Sequence, residues 1–219
     1  MSPPALAQLD HFMFAVPCLE QGMEWARDVF DNVPAYGGEH VGLGTRNALL
    51  SLGSCYLEII APDPAQPLSG TAGERFAALR EGGLVTWAAA GQLSRIAAAL
   101  SANGIACRGP ARTRRNTQSG ELLEWDLLFP RPGTMGGRLP FFIDWLDCPH
   151  PADTQPQGGQ LTDFSLTLPD PGPLQAALQA LGLTYPVSHG EPDMVAEIHT
   201  RRGSVVLRSH AETRNIRWL

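Results

Sequence analysis

The order strand, helix, strand, strand, strand occurs three times along this sequence, and that recurrence constrains the fold more than any single motif. In the first pass an apolar strand over residues 9–16 precedes a helix over 18–31, where Leu19, Met23, Ala26 and Phe30 recur at helical spacing. Strands are predicted at about 39–43, 46–52 and 55–60, with Gly53-Ser54 as a tight turn between the last two. A short helix over 72–81 leads to the second pass: strand 84–90, helix 92–102, a polar strand or loop at 108–117, and strands 122–129 and 139–146. Pro149, Pro151 and residues 155–160 read as a linker. The third pass has strand 161–168, helix 173–181, and strands 185–189, 194–200 and 204–209. The expected fold class is therefore α+β with repeated βαβββ modules. One unit, 1–152, holds modules at about 9–62 and 84–147; a third, degenerate module occupies 161–219.

The first and last strands of the first pass each carry an ionisable residue, His11 in Leu-Asp-His-Phe-Met-Phe and Glu58 in Tyr-Leu-Glu-Ile-Ile. A buried strand rarely holds such a side chain unless it is paired, ligates a metal or binds something. Composition narrows the chemistry. All 16 basic residues are arginine, so a lysine Schiff base or lysine general base is excluded. A formal net charge of −6 argues against general nucleic-acid binding. Cys18, Cys55, Cys107 and Cys148 show no C-x-x-C spacing, which disfavours a structural zinc site or a secreted disulfide framework. No stretch approaches the roughly 18 apolar residues of a membrane span. Residues 1–8 lack the pattern of a signal peptide, so the expectation is a cytoplasmic protein without membrane or nucleic-acid partners.

The chain resembles the glyoxalase-like domain family of the vicinal oxygen chelate superfamily. The resemblance rests on Leu9-Asp-His11, Gly44-Thr-Arg-Asn-Ala48, Tyr56-Leu-Glu58 with Ala61-Pro-Asp63, and Phe141-Phe-Ile-Asp-Trp145 with Pro149-His150-Pro151. It implies that two modules join into a cupped mixed sheet whose first and fourth strands supply inward ligands. Carried over by position, these would be His11 and Glu58, with Thr86 and Asp144 as their counterparts in the second module. A metal set of His11, Glu58 and Asp144 would suit Mn²⁺, Fe²⁺, Zn²⁺ or Ni²⁺ and a lyase, isomerase or dioxygenase acting on a small oxygen-bearing metabolite. Thr86 is a poor ligand, and only one histidine is in place. The other reading is a metal-free cup that binds a small molecule, with His11 and Glu58 hydrogen-bonded to each other.

Gly42-x-Gly44-Thr-Arg-Asn47 lacks the third glycine of a dinucleotide fingerprint and leads into a strand, so that reading is rejected. Thr45 and Asn47 are expected at the cup mouth. Arg46 is a candidate for a substrate carboxylate, although a solvent-facing strand position is the commoner role. Arg112, Arg114 and Arg115 form a basic cluster, either a solvated hairpin or an anion clamp, with Arg114 taken as ligand-binding. Trp125 is expected to floor the pocket or pack in the core. Glu58 and His150, the latter fixed between two prolines, are the candidate catalytic acid and base. Cys148 beside His150 is poorly spaced for a nucleophile pair, and His189, His199 and His210 receive no role. In the third module Asp163 and Arg208 match His11 and Glu58 and could pair but could not hold a metal. An odd module count leaves a sheet edge or face unpartnered, so a homodimer is expected.

Overall fold

The computed structural model describes residues 5–116, 122–214 and 216, except for the side chains of residues 115 and 116. Its first unit runs β1 (Ala7–Ala15), α1 (Leu19–Phe30), β2 (Ala35–His40), β3 (Thr45–Ser51) and β4 (Tyr56–Pro62), followed by a short α2 (Ala72–Ala77). The second runs β5 (Gly83–Gly91), α3 (Leu93–Ala102), β6 (Cys107–Asn116) and β7 (Leu122–Pro130). A 3-10 helix at Gly133–Arg138 then precedes β8 (Phe141–Asp144). After α4 (Pro151–Thr154) come β9 (Gln160–Leu168), α5 (Gly172–Leu181), β10 (Val187–His189), β11 (Asp193–Thr200) and β12 (Gly203–Arg208).

The first eight strands form one mixed sheet in the order β2-β3-β4-β1-β5-β8-β7-β6. Within each half the first strand is parallel to the fourth, β1 to β4 and β5 to β8, and the halves meet where β1 runs antiparallel to β5. Strand alternation divides this sheet into two faces. Phe12, Phe14, Leu57, Ile59, Trp87, Ala89 and Phe142 point to the helix side, where α1 contributes Leu19, Ala26 and Phe30 and α3 contributes Leu93, Ile96 and Leu100. Met13, Ala15, Ile60 and Ala88 point to the concave side, and α2 fills one end of it with Ala72 and Phe76. The α5 helix buries Leu174, Ala177, Leu178 and Leu181 and stops at Gly182, whose φ of 76° lets it cap the helix.

The third pass keeps the element order but not the pairing. Its strands lie in the order β10-β9-β11-β12, a separate sheet in which β9 is parallel to β10 and antiparallel to β11. A helix between two adjacent parallel strands is a simple βαβ crossover, unlike the first two units, in which the parallel partner is the fourth strand. One consequence is that Asp163 on β9 and Arg208 on β12 are separated by β11, so they are not paired: Asp163 faces Glu197 and Arg208 faces Val195. Phe164 inserts between the sheets, 4.8 Å from Phe12 and 5.1 Å from Trp87 by ring centroids.

The 3-10 helix at Gly133–Arg138 and the short α4 that begins at Pro151, where a linker was expected, also differ from expectation. So does β2. It begins at Ala35 and includes Gly37 and Gly38, which by sequence read as breakers. Pairing with β3 recruits them, with a register shift between Tyr36 and Gly38. A Cβ on Gly37 would sit 2.2 Å from Asn47 Oδ1, so the missing side chain is what lets Asn47 point inward. No helix among the described residues is long and apolar enough to cross a membrane.

Candidate functional site

The concave face opens as a cup of about 1030 Å³ whose polar floor is His11, Asn47 and Glu58 and whose wall is a mixture of aromatic and aliphatic side chains. His11 comes from β1 and Glu58 from β4, one pleat further along the paired strand: His11 is opposite Tyr56, and Glu58 opposite Met13. Both are buried, at 3% and 6% exposure. His11 Nε2 lies 3.5 Å from Glu58 Oε2. The imidazole is stacked on Tyr56, centroids 4.6 Å apart at 23°, and meets the edge of Phe141 at 5.4 Å, which limits rotation of the ring.

Behind His11 stands Asp10. Simple alternation would send it to the opposite face, but the β1–β5 register shifts between Leu9 and His11, so Asp10 is the extra residue of a β-bulge. Its carboxylate, with no exposed surface, accepts His11 Nδ1–H at 2.6 Å on Oδ1 and Trp145 Nε1–H at 2.8 Å on Oδ2. His150 completes the set. Its Nδ1 accepts the Ala152 N–H at 3.1 Å as the cap of α4, so its Nε2–H donates to Asp10 Oδ2 at 2.9 Å. Burial alone would raise the Asp10 pKa, but the hydrogen bonds from His11 and His150 outweigh it and hold the carboxyl well below the usual carboxylate range. With Asp10 accepting from Nδ1, neutral His11 presents a lone pair at Nε2 toward Glu58 and the cup.

Glu58 is held from its other side. Asn47 Nδ2 donates to Glu58 Oε1 at 2.5 Å and approaches His40 Nε2 at 3.3 Å, while His40 Nδ1 contacts Thr45 Oγ1 at 2.9 Å. His40 Nε2 is 3.6 Å from Glu58 Oε1. The polar floor thus belongs to one continuous network running His40, Asn47, Glu58, His11, Asp10, His150, whose last two members lie behind the cup. Around it stand Trp125 and Trp145, 5.5 Å apart, together with Tyr36, Leu127, Phe129 and Ile143. Arg114 lines the rim and is exposed.

Of the residues expected in the site, His11, Asn47, Glu58, Arg114 and Trp125 line the cup. Arg46 does not: on the other side of β3 from Asn47, its guanidinium pairs with Glu20 of α1 at 2.8 Å. Arg112 pairs with Asp126, and the side chain of Arg115 lies outside the described residues, as does Thr117. His150 supports Asp10 from behind and is not part of the cup lining. Cys148 sulfur contacts the Glu124 backbone at 3.2 Å rather than His150. Burial, reinforced by the Asp10 charge, pushes the Cys55 thiol up to about 12, so it stays protonated.

The expected metal set of His11, Glu58 and Asp144 is not assembled. Phe141 and Ile143 face the cup, so alternation turns Asp144 to the other face of β8, where Oδ1 accepts the Leu146 N–H at 3.0 Å. Thr86 lies opposite Met13 rather than beside His11, and its hydroxyl donates to the Gly137 carbonyl at 3.2 Å. The residue that faces His11 across the two halves is Ala88, which pairs with Phe141 just as His11 pairs with Tyr56; two positions on, Ile143 corresponds to Glu58. Two of the four ligand positions are therefore aliphatic, and among the described residues no group of three His, Cys, Asp or Glu side chains is placed to hold a metal ion. The donor set does not fit a resident four-ligand metal centre.

Sequence reading missed two contributors. Asp10 was hidden because a bulge overrides strand alternation; its one signal was a second ionisable group adjacent to His11 in an apolar run. His40 was hidden because only the β2–β3 pairing carries it to Glu58.

The fold is shared with known structures. A hypothetical protein from Staphylococcus aureus superposes with a TM-score of 0.62 at 15% identity, covering 92% of this chain and 85% of that one. Methylmalonyl-CoA epimerase from Mycobacterium tuberculosis gives a TM-score of 0.50 at 21% identity, covering 70% of this chain and 97% of the epimerase. A search of curated protein sequences returned no match. The sequence model of the glyoxalase-like domain matches residues 9–182, and the chain belongs to that family.

Proposed function

We propose that the protein binds a flat, largely apolar small molecule in the cup and transfers a proton to or from it at His11 and Glu58, without a resident metal ion. The observation that carries this reading is the buried line Asp10–His11–Glu58 at the floor of a cavity walled by aromatic and aliphatic side chains. Asp10 fixes the His11 tautomer and stabilises the imidazolium once Nε2 has taken a proton. Glu58, 3.5 Å away, is close enough to share a ligand hydroxyl or an acidic C–H with Nε2. The aliphatic residues Ala88 and Ile143 stand where further metal ligands would be, which supports acid–base over Lewis-acid chemistry. The aromatic side chains of the wall suit a ring or conjugated system, and Arg114 at the rim suits a polar end group.

The test is quenching of Trp125 and Trp145 fluorescence during titration with a panel of phenols and hydroxy ketones. Saturable quenching by some members, abolished in H11A with secondary structure retained, is the expected result. Deuterium uptake from solvent into a bound hydroxy ketone would separate catalysis from simple binding. Stoichiometric stabilisation by Mn²⁺, Zn²⁺ or Ni²⁺ that disappears in H11A would overturn the metal-free reading.

A further inference from the structure

The concave face holds a second pocket, of about 470 Å³, beyond the cup. Phe129 and Phe141, with ring centroids 5.8 Å apart, line both spaces and form the partition. The two compartments differ in charge. The cup contains a buried glutamate, whereas the second pocket is lined by Arg108 and Arg131 and, among the described residues, by no carboxylate at all. In a chain of net charge −6, an acid-free cavity with two guanidinium groups is a local inversion of sign.

Part of the lining of this pocket is glycine backbone, closely packed against β5. It comes from the 3-10 helix, where Gly136 adopts φ 54° and Gly137 presses so closely on β5 that a Cβ there would lie 2.1 Å from the Val85 carbonyl oxygen. Thr86 Oγ1 holds the Gly137 carbonyl, and Trp87 Nε1 donates to the Arg138 carbonyl at 2.8 Å. The Arg108 guanidinium lies over the Phe129 ring, 5.4 Å from its centre, a cation–π contact that keeps the cation beside the pocket.

Arg138 supplies an independent observation. It is 4% exposed, directly behind this glycine backbone: a Cβ on Gly136 would lie 2.7 Å from its Nη2. Its Nη1 donates to the Arg214 carbonyl at 3.0 Å, and its Nε is buried without a hydrogen-bond partner among the described residues. Burial and the nearby Arg214 cation lower its pKa, with the Asp193 carboxylate pulling the other way. Among the described residues no carboxylate is bonded to it, and a buried cation is costly unless a negative charge comes close.

We propose that the second pocket binds an oxyanion, either a carboxylate or a phosphate group, held by the side chains of Arg108 and Arg131 over the Gly136–Gly137 backbone, with Arg138 as the buried counter-charge. This holds whatever the cup binds. Calorimetric titration of the full chain at low ionic strength, with inorganic phosphate in one arm and acetate in the other, tests it. Saturable binding of at least one probe is expected, weakened at least tenfold in the R108Q/R131Q double variant and unchanged in R114Q, which alters only the cup. Response to phosphate alone or acetate alone assigns the group recognised. No saturation with either probe overturns the proposal, as does binding that survives the double variant or is lost in R114Q. Should the double variant not fold, amide chemical shifts of the wild-type chain decide: displacement at Gly133, Gly136 and Gly137 supports the site, and displacement confined to the cup overturns it.

Discussion

Asp10 has no exposed surface and accepts hydrogen bonds from His11, Trp145 and His150, so its carboxylate links the cup floor to β8 and the α4 cap. An amide cannot accept three such donors with the same charge assistance, and D10N should lower stability near neutral pH by about 2 kcal/mol. The pH dependence follows from the direction of the shift. The folded pKa lies below the ordinary 3.8, so between the two values the unfolded chain binds the extra proton. The stabilisation is therefore fully present above about pH 4 and is lost as pH falls toward the folded value. Urea melts at a series of acid pH values should show wild type converging on D10N below that point; a constant gap would refute the assignment. For His11, H11A should abolish fluorescence-detected binding and lower stability by about 1–3 kcal/mol with far-ultraviolet circular dichroism unchanged, because Asp10 loses its shortest donor while the backbone pairing of β1 is kept.

At the scale of the element, β2 and the 3-10 helix both depend on glycines that make room for something else. On β2, Gly37 leaves space for Asn47, the residue that holds Glu58. G37A should displace the Asn47 amide and weaken ligand binding severalfold while leaving the convex core unaltered, a result that parallel binding and unfolding measurements would check. In the 3-10 helix, Gly137 lies against the Val85 carbonyl, where a Cβ meets backbone that cannot swing aside. G137A should destabilise the protein by about 1–3 kcal/mol, the usual cost of overpacking, read from the shift in urea midpoint at unchanged slope. The arginines behave by the same local logic. Arg46 and Arg114 sit on β3 and β6, yet only Arg114 reaches the cup, because the pleat of β3 gives the inward position to Asn47 and turns Arg46 toward Glu20.

For the whole molecule, the eight-stranded and four-stranded sheets share one apolar layer. Phe164 of β9 packs on Phe12 and Trp87 of the larger sheet, and Tyr185 closes on both Trp87 and Phe164. A core that spans both sheets should unfold as one cooperative unit. F164A should cost about 3–5 kcal/mol, and tryptophan fluorescence and far-ultraviolet circular dichroism should still give coincident transitions. Separate transitions for the two probes would show that the sheets unfold independently.

Periodicity by itself determined the α+β class, the threefold order of strands and long helices, and the amphipathic faces of α1, α3 and α5. These are legible because they depend on local spacing: apolar residues every three or four positions bury one helix face, and a two-residue pleat keeps alternate side chains together. The inward placing of His11 and Glu58 came from the family resemblance, with which strand alternation is consistent. Tertiary structure alone decided which strands pair. The βαβ pairing of the last segment, the inclusion of Gly37 in a strand and the arrival of His40 beside Glu58 all depend on partners distant in sequence. Register alone decided the rest. The bulge at Asp10 brought a second carboxylate to His11, and a one-residue difference on β8 put Ile143 in the cup and Asp144 outside it. A strand's inward face reverses with each single-residue slip, and the adjacent ionisable pair Asp10-His11 is the one local sign of such a slip in this chain.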